Sequence, residues 1–184
     1  MGYDSLSFTC LDNYRPNSYN ETMKNRLPQY QRSRRFDSIE QEAYLSLWRT
    51  FDRLRAIEDE LFGKWELSAQ QYNVLRLLKA EHPETLPTLS LVRRLVSRAP
   101  DITRMLDKLE LRKLISRGKR QGDRRAVMVG ITPAGLALLE EIRQPLQVVH
   151  EKQLGHLSGA DLKTLVKLLQ QVRLPHEPEG SPWR

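Results

Sequence analysis

Apolar residues return at helical spacing through most of the chain. Between Asp37 and Phe62, Leu47, Phe51, Leu54 and Leu61 fall at helical steps, and Trp48 and Ile57 widen the stripe. Asp37 or Ser38 suits the cap of this helix, and Gly63 suits its end. At about 24 residues it is long for a small domain, which suits a helix packed on another subunit. Ser68 is placed to cap a second helix running to about Ala80, with Tyr72, Leu75 and Leu78 inward. Two prolines between His82 and Thr88 break the pattern. Leu89–Val96 then reads as a short amphipathic helix, Ser97–Pro100 as a tight turn, and Asp101–Ile115 as a strong helix. In that helix Ile102, Met105, Leu106 and Leu109 face a core, while Asp101, Arg104, Lys108 and Arg112 line the opposite side. Leu114–Gly118 and Ala126–Ile131 read as two strands joined by a loop over Lys119–Arg125. Thr132 and Pro133 open another helix towards Gln153, with a kink expected at Pro145. Ser158, with Asp161 three residues on, opens a last helix whose apolar face is Leu162, Leu165, Val166, Leu169 and Val172. Residues 1–36 show no period and read as a flexible basic arm, and 175–184 read as a tail.

Charge changes this picture by its placement. The formal net charge is +7, yet Arg93–Arg125 alone holds 12 Lys/Arg against 4 Asp/Glu, and the rest of the chain is close to neutral. A basic segment this dense is either a solvated face or the footprint of a polyanion. Its densest part, "RQGDRRAVMV" (Arg120–Val129), stands at the tip of the expected hairpin. Folding does not require positive charge at a hairpin tip.

The order of short helix, tight turn, helix and two-stranded hairpin is that of a winged helix-turn-helix, in which the second helix enters the major groove and the wing reaches the backbone or minor groove. The residues "SRAPDITRMLDKLELRKLISRGKRQGDRRAVMVGITPAGLALL" (Ser97–Leu139) resemble the MarR family of bacterial transcriptional regulators, through "ITRMLDKLE", "DRR" and "ITPAG". The resemblance implies a mainly α protein with a small β-hairpin wing, and a winged lobe (65–132) flanked by dimerisation helices (37–62 and 133–174). It also implies a homodimer on a pseudo-palindromic operator, expected to act as a repressor. By position, Arg98, Ala99, Pro100, Asp101, Thr103 and Arg104 fall where members of that family approach the major groove, and Lys108 extends that helix surface. Asp123 and Arg125 match the wing pair, with Arg124 between them. "SRAP" departs from the commoner family pattern at the turn, and the long N-terminal arm has no counterpart in it. Arg93, Arg94, Arg112 and Lys113 read either as part of the footprint or as plain helix-surface charges.

The resemblance also implies a small, often phenolic effector between the lobe and the dimer helices. Trp48, Phe51, Trp65 and Tyr72 are candidates to line such a crevice or are simply core aromatics, and the sequence names no effector. The single cysteine, Cys10, lies in the arm with no adjoining basic residue to lower its pKa, and it excludes an intramolecular disulfide. With no apolar run near the ~20 residues that span a bilayer and no secretory pattern at the N-terminus, a cytoplasmic location is expected. His82, His150, His156 and His176 are scattered outside any ligand spacing, and no phosphate loop or nucleophile motif occurs. Neither a metal, a cofactor nor a catalytic activity is expected. The rival reading is a basic winged-helix interaction protein with non-specific nucleic-acid or protein partners.

Overall fold

The computed structural model describes residues 36–96, 101–120 and 123–184, and the backbone alone of 120 and 123–126. The chain divides into two units between Trp48 and Arg49, inside the first helix. The elements run α1 (Ile39–Gly63), α2 (Ala69–Glu81), β1 (Leu86–Pro87), α3 (Thr88–Arg94), α4 (Ile102–Leu111), β2 (Ile115–Arg120), β3 (Asp123–Ile131), α5 (Pro133–Leu154) and α6 (Gly159–Arg173), then a 3₁₀ turn over Leu174–His176. The helix-rich chain with a small antiparallel sheet is the expected fold class.

The caps read from sequence are present. Ser38 Oγ accepts from Gln41 N at 3.1 Å. Ser68 and Gln71 form a complete capping box at the start of α2. Thr132 Oγ1 accepts from Gly135 N at 3.1 Å, with Pro133 opening α5. Ser158 caps α6 through Asp161 N. Helix α5 runs through Pro145 to Leu154.

One device follows the ends of both α1 and α4. Helix α1 ends at Gly63, as read, and the chain turns three residues later, at Glu66 with φ +52°. Leu67 N bonds Phe62 O and Glu66 N bonds Gly63 O, both at 3.1 Å. Helix α4 ends at Leu111 rather than Ile115, by the same device. Lys113 has φ +58°, Leu114 N bonds Leu109 O at 3.0 Å, and Lys113 N bonds Glu110 O at 2.8 Å. Both are Schellman motifs with a charged residue where glycine is usual. A side chain in that conformation costs about 1–2 kcal/mol. Burial of the next residue, Leu67 or Leu114 at 6% exposure each, offsets it at about 1.5–3 kcal/mol.

The sheet has three strands, not two. Within the stretch broken by prolines, Leu86 pairs with Val129 and Pro87 with Met128, so the order is β1-β3-β2. Pro87 is tolerable there because β1 is an edge strand. β2 and β3 pair regularly from Ile115↔Ile131 to Lys119↔Val127, and then Arg120 pairs with Asp123. The Lys119–Arg125 segment is therefore mostly strand rather than loop. The register shift is a bulge whose extra residues fall within Arg124–Ala126. One core joins the end of α1 (Leu61, Phe62) to α2 (Val74, Leu75, Leu78), α3 (Leu91), α4 (Leu106, Leu109), the sheet (Ile115, Val129) and α5 (Leu139, Ile142). The tail is ordered too: Arg173 lies 5.7 Å from the Trp183 ring centroid, and Ser181 Oγ donates to Glu177 at 2.7 Å.

Helix α5 starts hard against the corner between α4 and β2. A Cβ on Gly135 would lie 2.3 Å from Leu114 O and 2.7 Å from Ile131 Cγ1, whereas one on Gly63 would meet nothing within 4 Å. Gly135→Ala is expected to destabilise the protein by about 2 kcal/mol through overpacking. Gly63→Ala is expected to stabilise it by about 0.5 kcal/mol, as alanine ordinarily does in a helix. Urea denaturation of the two variants checks the opposite signs.

Candidate nucleic-acid interface

Helix α4 is pinned by its inner face. Leu106 and Leu109 are buried at 2% and 0% exposure, with Ile102 and Met105 packed beside them. Thr103, Arg104, Asp107 and Lys108 consequently face solvent, because a 3.6-residue period puts them opposite that face. Asp101 is the N-cap, and its Oδ1 accepts from Arg104 N at 3.1 Å. The carboxylate is thus committed to orienting the helix start. Arg98, Ala99 and Pro100, which precede it in the chain, lie outside the described residues. The side chains of Asp123, Arg124 and Arg125 also lie outside them, although their backbone forms the bulged start of β3. An open cleft of about 350 Å³ beside α4 brings Arg104 and Lys108 to the start of α2, at Ser68 and Gln70.

The basic segment separates into two kinds of side chain. Arg94 pairs with Glu81 across from α2. Arg112, expected on the exposed row of a longer α4, turns back once the helix stops at Leu111. Its Nη1 donates to Glu66 O and its Nη2 to Trp65 O, both at 2.9 Å. Arg117, on β2, reaches α4: Nε donates to Glu110 Oε2 at 2.8 Å, and Nη2 meets Asp107 Oδ1 at 2.6 Å. These three hold the lobe together. Arg93, Arg104, Lys108, Lys113 and Lys119 are exposed and take part in no ion pair within the described residues. Sequence reasoning missed the roles of Arg112 and Arg117, since each partner lies on another element and no helical or strand period links it to the arginine.

The four aromatics weighed for an effector crevice have separate surroundings. Tyr72 stacks on Phe62 with ring centroids 4.8 Å apart, and burial raises the pKa of its hydroxyl. Trp65 Nε1 donates to Glu141 Oε1 on α5 at 2.7 Å. Trp48 and Phe51 are exposed on α1, with the Tyr44 ring 6.2 Å from Trp48. Among the described residues no group of His, Cys, Asp or Glu is placed to hold a metal ion, and no helix is long and apolar enough to cross a membrane.

The MarR family model matches residues 67–127, which runs from the start of α2 into the bulged strand. The crystal structure of a MarR transcription factor from Planctomyces limnophilus is 52% identical, covers 74% of this chain and 99% of its own, and superposes with a TM-score of 0.60. The chain belongs to the MarR family. MarR family members are transcription factors rather than enzymes, so the exposed face of α4 belongs to a winged-helix regulator. Two further MarR-like structures share the fold. BpsR from Bordetella bronchiseptica, whose DNA binding is regulated by 6-hydroxynicotinic acid, is 25% identical, with 73% of this chain and 95% of its own covered, at a TM-score of 0.66. A cysteine-to-serine mutant of MarR from E. coli, complexed with operator DNA, is 24% identical over 68% of this chain and 89% of its own, at a TM-score of 0.63.

Two measurable consequences follow from the ties around α4. Asp101→Ala removes the cap and is expected to cost about 1 kcal/mol in urea denaturation. Hydrogen bonding from Arg117 lowers the pKa of Glu110 below its ordinary value. A carboxyl lowered by folding contributes stability that is present above its unfolded pKa and is lost as pH falls through the folded value. Glu110→Gln is therefore expected to flatten the acid limb of the stability–pH profile while leaving its slope near neutral pH unchanged. Denaturation midpoints collected across that range test this.

Proposed function

We propose that the chain is a homodimeric, sequence-specific DNA-binding repressor that acts in the cytoplasm on a pseudo-palindromic operator and is released by a small-molecule effector. The outer face of α4 carries the DNA half of this reading. Thr103, Arg104 and Lys108 stand free on a helix fixed from behind. An α-helix fits the major groove, and an arginine there pairs with the O6 and N7 of guanine. Arg98, Ala99 and Pro100 enter the groove with the helix start, and Asp101 orients that start as its cap. Arg124 and Arg125, with Asp123 beside them, take the backbone or a narrow minor groove from the bulged wing. The complex of E. coli MarR with operator DNA supports DNA as the partner.

Unpartnered apolar surface carries the dimer half. No residue of α6 is buried, although Leu162, Leu165, Val166, Leu169 and Val172 share one face. Val166 and Val172 are 54% and 58% exposed, and Phe51 on α1 is 58% exposed. Apolar helices left bare in one chain belong to an interface, and a second copy is the simplest partner. The control of BpsR by 6-hydroxynicotinic acid supports an effector. Such a ligand works only by binding the released and DNA-bound arrangements with different affinity.

Fluorescence anisotropy with the chain's own upstream DNA, against a random duplex at two salt concentrations, tests the DNA reading. Binding that survives the competitor is expected. Equal loss to random DNA would instead favour a non-specific basic partner. In the same assay Arg104→Ala is expected to cost about 1–3 kcal/mol. Leu47→Asp combined with Phe51→Asp is expected to yield monomers in sedimentation equilibrium, and a variant that stays dimeric would remove those residues from the seam.

A further inference from the structure

We infer that Arg117 is a positioning residue for DNA recognition, which ties the wing to the recognition helix and keeps that helix's two carboxylates from opposing the DNA. The inference rests on the DNA-binding reading above. Ile115, Arg117 and Lys119 share one face of β2, and their partners on β3 are Ile131, Val129 and Val127. Exposure rises along this face from buried Ile115 to exposed Lys119. Arg117 stands at the transition, opposite fully buried Val129, with a side chain only 24% exposed. A cation at such a place needs partners, and α4 supplies two. Asp107 and Glu110 are three residues apart and so sit side by side on the helix. Nη2 of Arg117 contacts a carboxylate oxygen of each, and Nε donates again to Glu110. The planar guanidinium fork thereby fixes direction as well as distance.

Two effects come from this one side chain. Among the described residues Arg117 is the ion-paired link from the wing to the helix that carries Arg104 and Lys108, so it sets the angle at which both meet one duplex. It also neutralises charge where charge matters. Asp107 is 54% exposed and adjoins Lys108 in sequence. Without the arginine, two unpaired carboxylates would share the helix face that has to approach phosphates. Because its Nε and Nη2 are engaged by α4, Arg117 acts by positioning rather than as a DNA contact, although its sequence context "SRGKR" counts it among the basic residues of the wing.

A double-mutant cycle in the full chain separates positioning from contact. Arg117→Gln is expected to weaken operator binding about tenfold in the wild-type background, and less than about twofold when Asp107→Asn and Glu110→Gln are already present. An equal loss in both backgrounds would make Arg117 a direct contact and overturn the inference. Arg117→Lys keeps the charge without the fork and is expected to fall between wild type and Arg117→Gln. Amide hydrogen exchange in the absence of DNA gives the second readout. Amides of β2 and β3 are expected to exchange faster in Arg117→Gln while those of α2 are unchanged, and an unaltered wing would overturn the tether. If wild type fails to discriminate operator from random duplex, the DNA-binding reading falls, and the exchange experiment still decides whether Arg117 holds the wing.

Discussion

The corner between the recognition helix and the wing depends on one pair of residues, Leu109 and Leu114. Both are buried, and a 3.0 Å hydrogen bond joins the Leu114 amide to the Leu109 carbonyl. Three elements converge on it. Leu109 fixes the inner face of α4, and Leu114 leads directly into β2. The Leu114 carbonyl accepts from Thr132 N at 3.1 Å and the Lys113 carbonyl from Thr132 Oγ1 at 2.7 Å, so the start of α5 is anchored to the same corner. Gly135 is required there because the Leu114 carbonyl occupies the space of a side chain. The recognition helix, the wing and the long C-terminal helix therefore keep their relative placement through a few buried backbone groups, which tolerate little displacement in a close-packed interior.

On this frame the meaning of the basic segment changes. A net charge concentrated in Arg93–Arg125 invites a picture of uniform positive surface. Instead, Arg94, Arg112 and Arg117 hold α2, the α1–α2 connection and α4 in register with their neighbours, while Arg104, Lys108 and Lys119 stand free. Arginine suits the first task because its fork engages two acceptors at once. In the proposed function the free cations set the attraction to phosphates, which is long-range and screened by salt. The paired ones act through geometry and are much less sensitive to it.

Much of this arrangement was legible in the residues. The caps at Ser68, Thr132 and Ser158, the buried set of α4 and the placement of the hairpin all follow from spacing and side-chain chemistry, and the family motifs fell in one continuous run. The exceptions have physical causes. Strand β1 is two residues long and contains a proline, so no alternation could reveal it; it exists because β3 offers a free edge. The end of α4 carries Lys113 where a glycine would have signalled the stop, and tertiary burial of Leu114 decides it. Wing residues read as a loop are strand, because pairing continues to Arg120 and Asp123 across a bulge. The reach of Arg112 and Arg117 to other elements is a tertiary fact with no local signature.

The same contacts bound what an effector has to achieve in the proposed release mechanism. The end of α1 and its connection to α2 are tied to α5 by polar links outside the apolar core. Trp65 donates to Glu141 at 2.7 Å, and Gln153 donates to the Leu54 carbonyl at 2.8 Å. Arg112 adds two bonds from the end of α4 to the carbonyls of Trp65 and Glu66. Bonds of this kind contribute about 0.5–1.5 kcal/mol each against their exchange for water. Rearranging one or two of them therefore costs a few kcal/mol at most, whereas separating the Leu109–Leu114 corner would expose fully buried leucines. A ligand that binds one arrangement 100-fold better supplies about 2.7 kcal/mol, enough to exchange such polar links and too little to open the corner. In that proposed mechanism the recognition helix and the wing travel together, because the Leu109–Leu114 corner joins them.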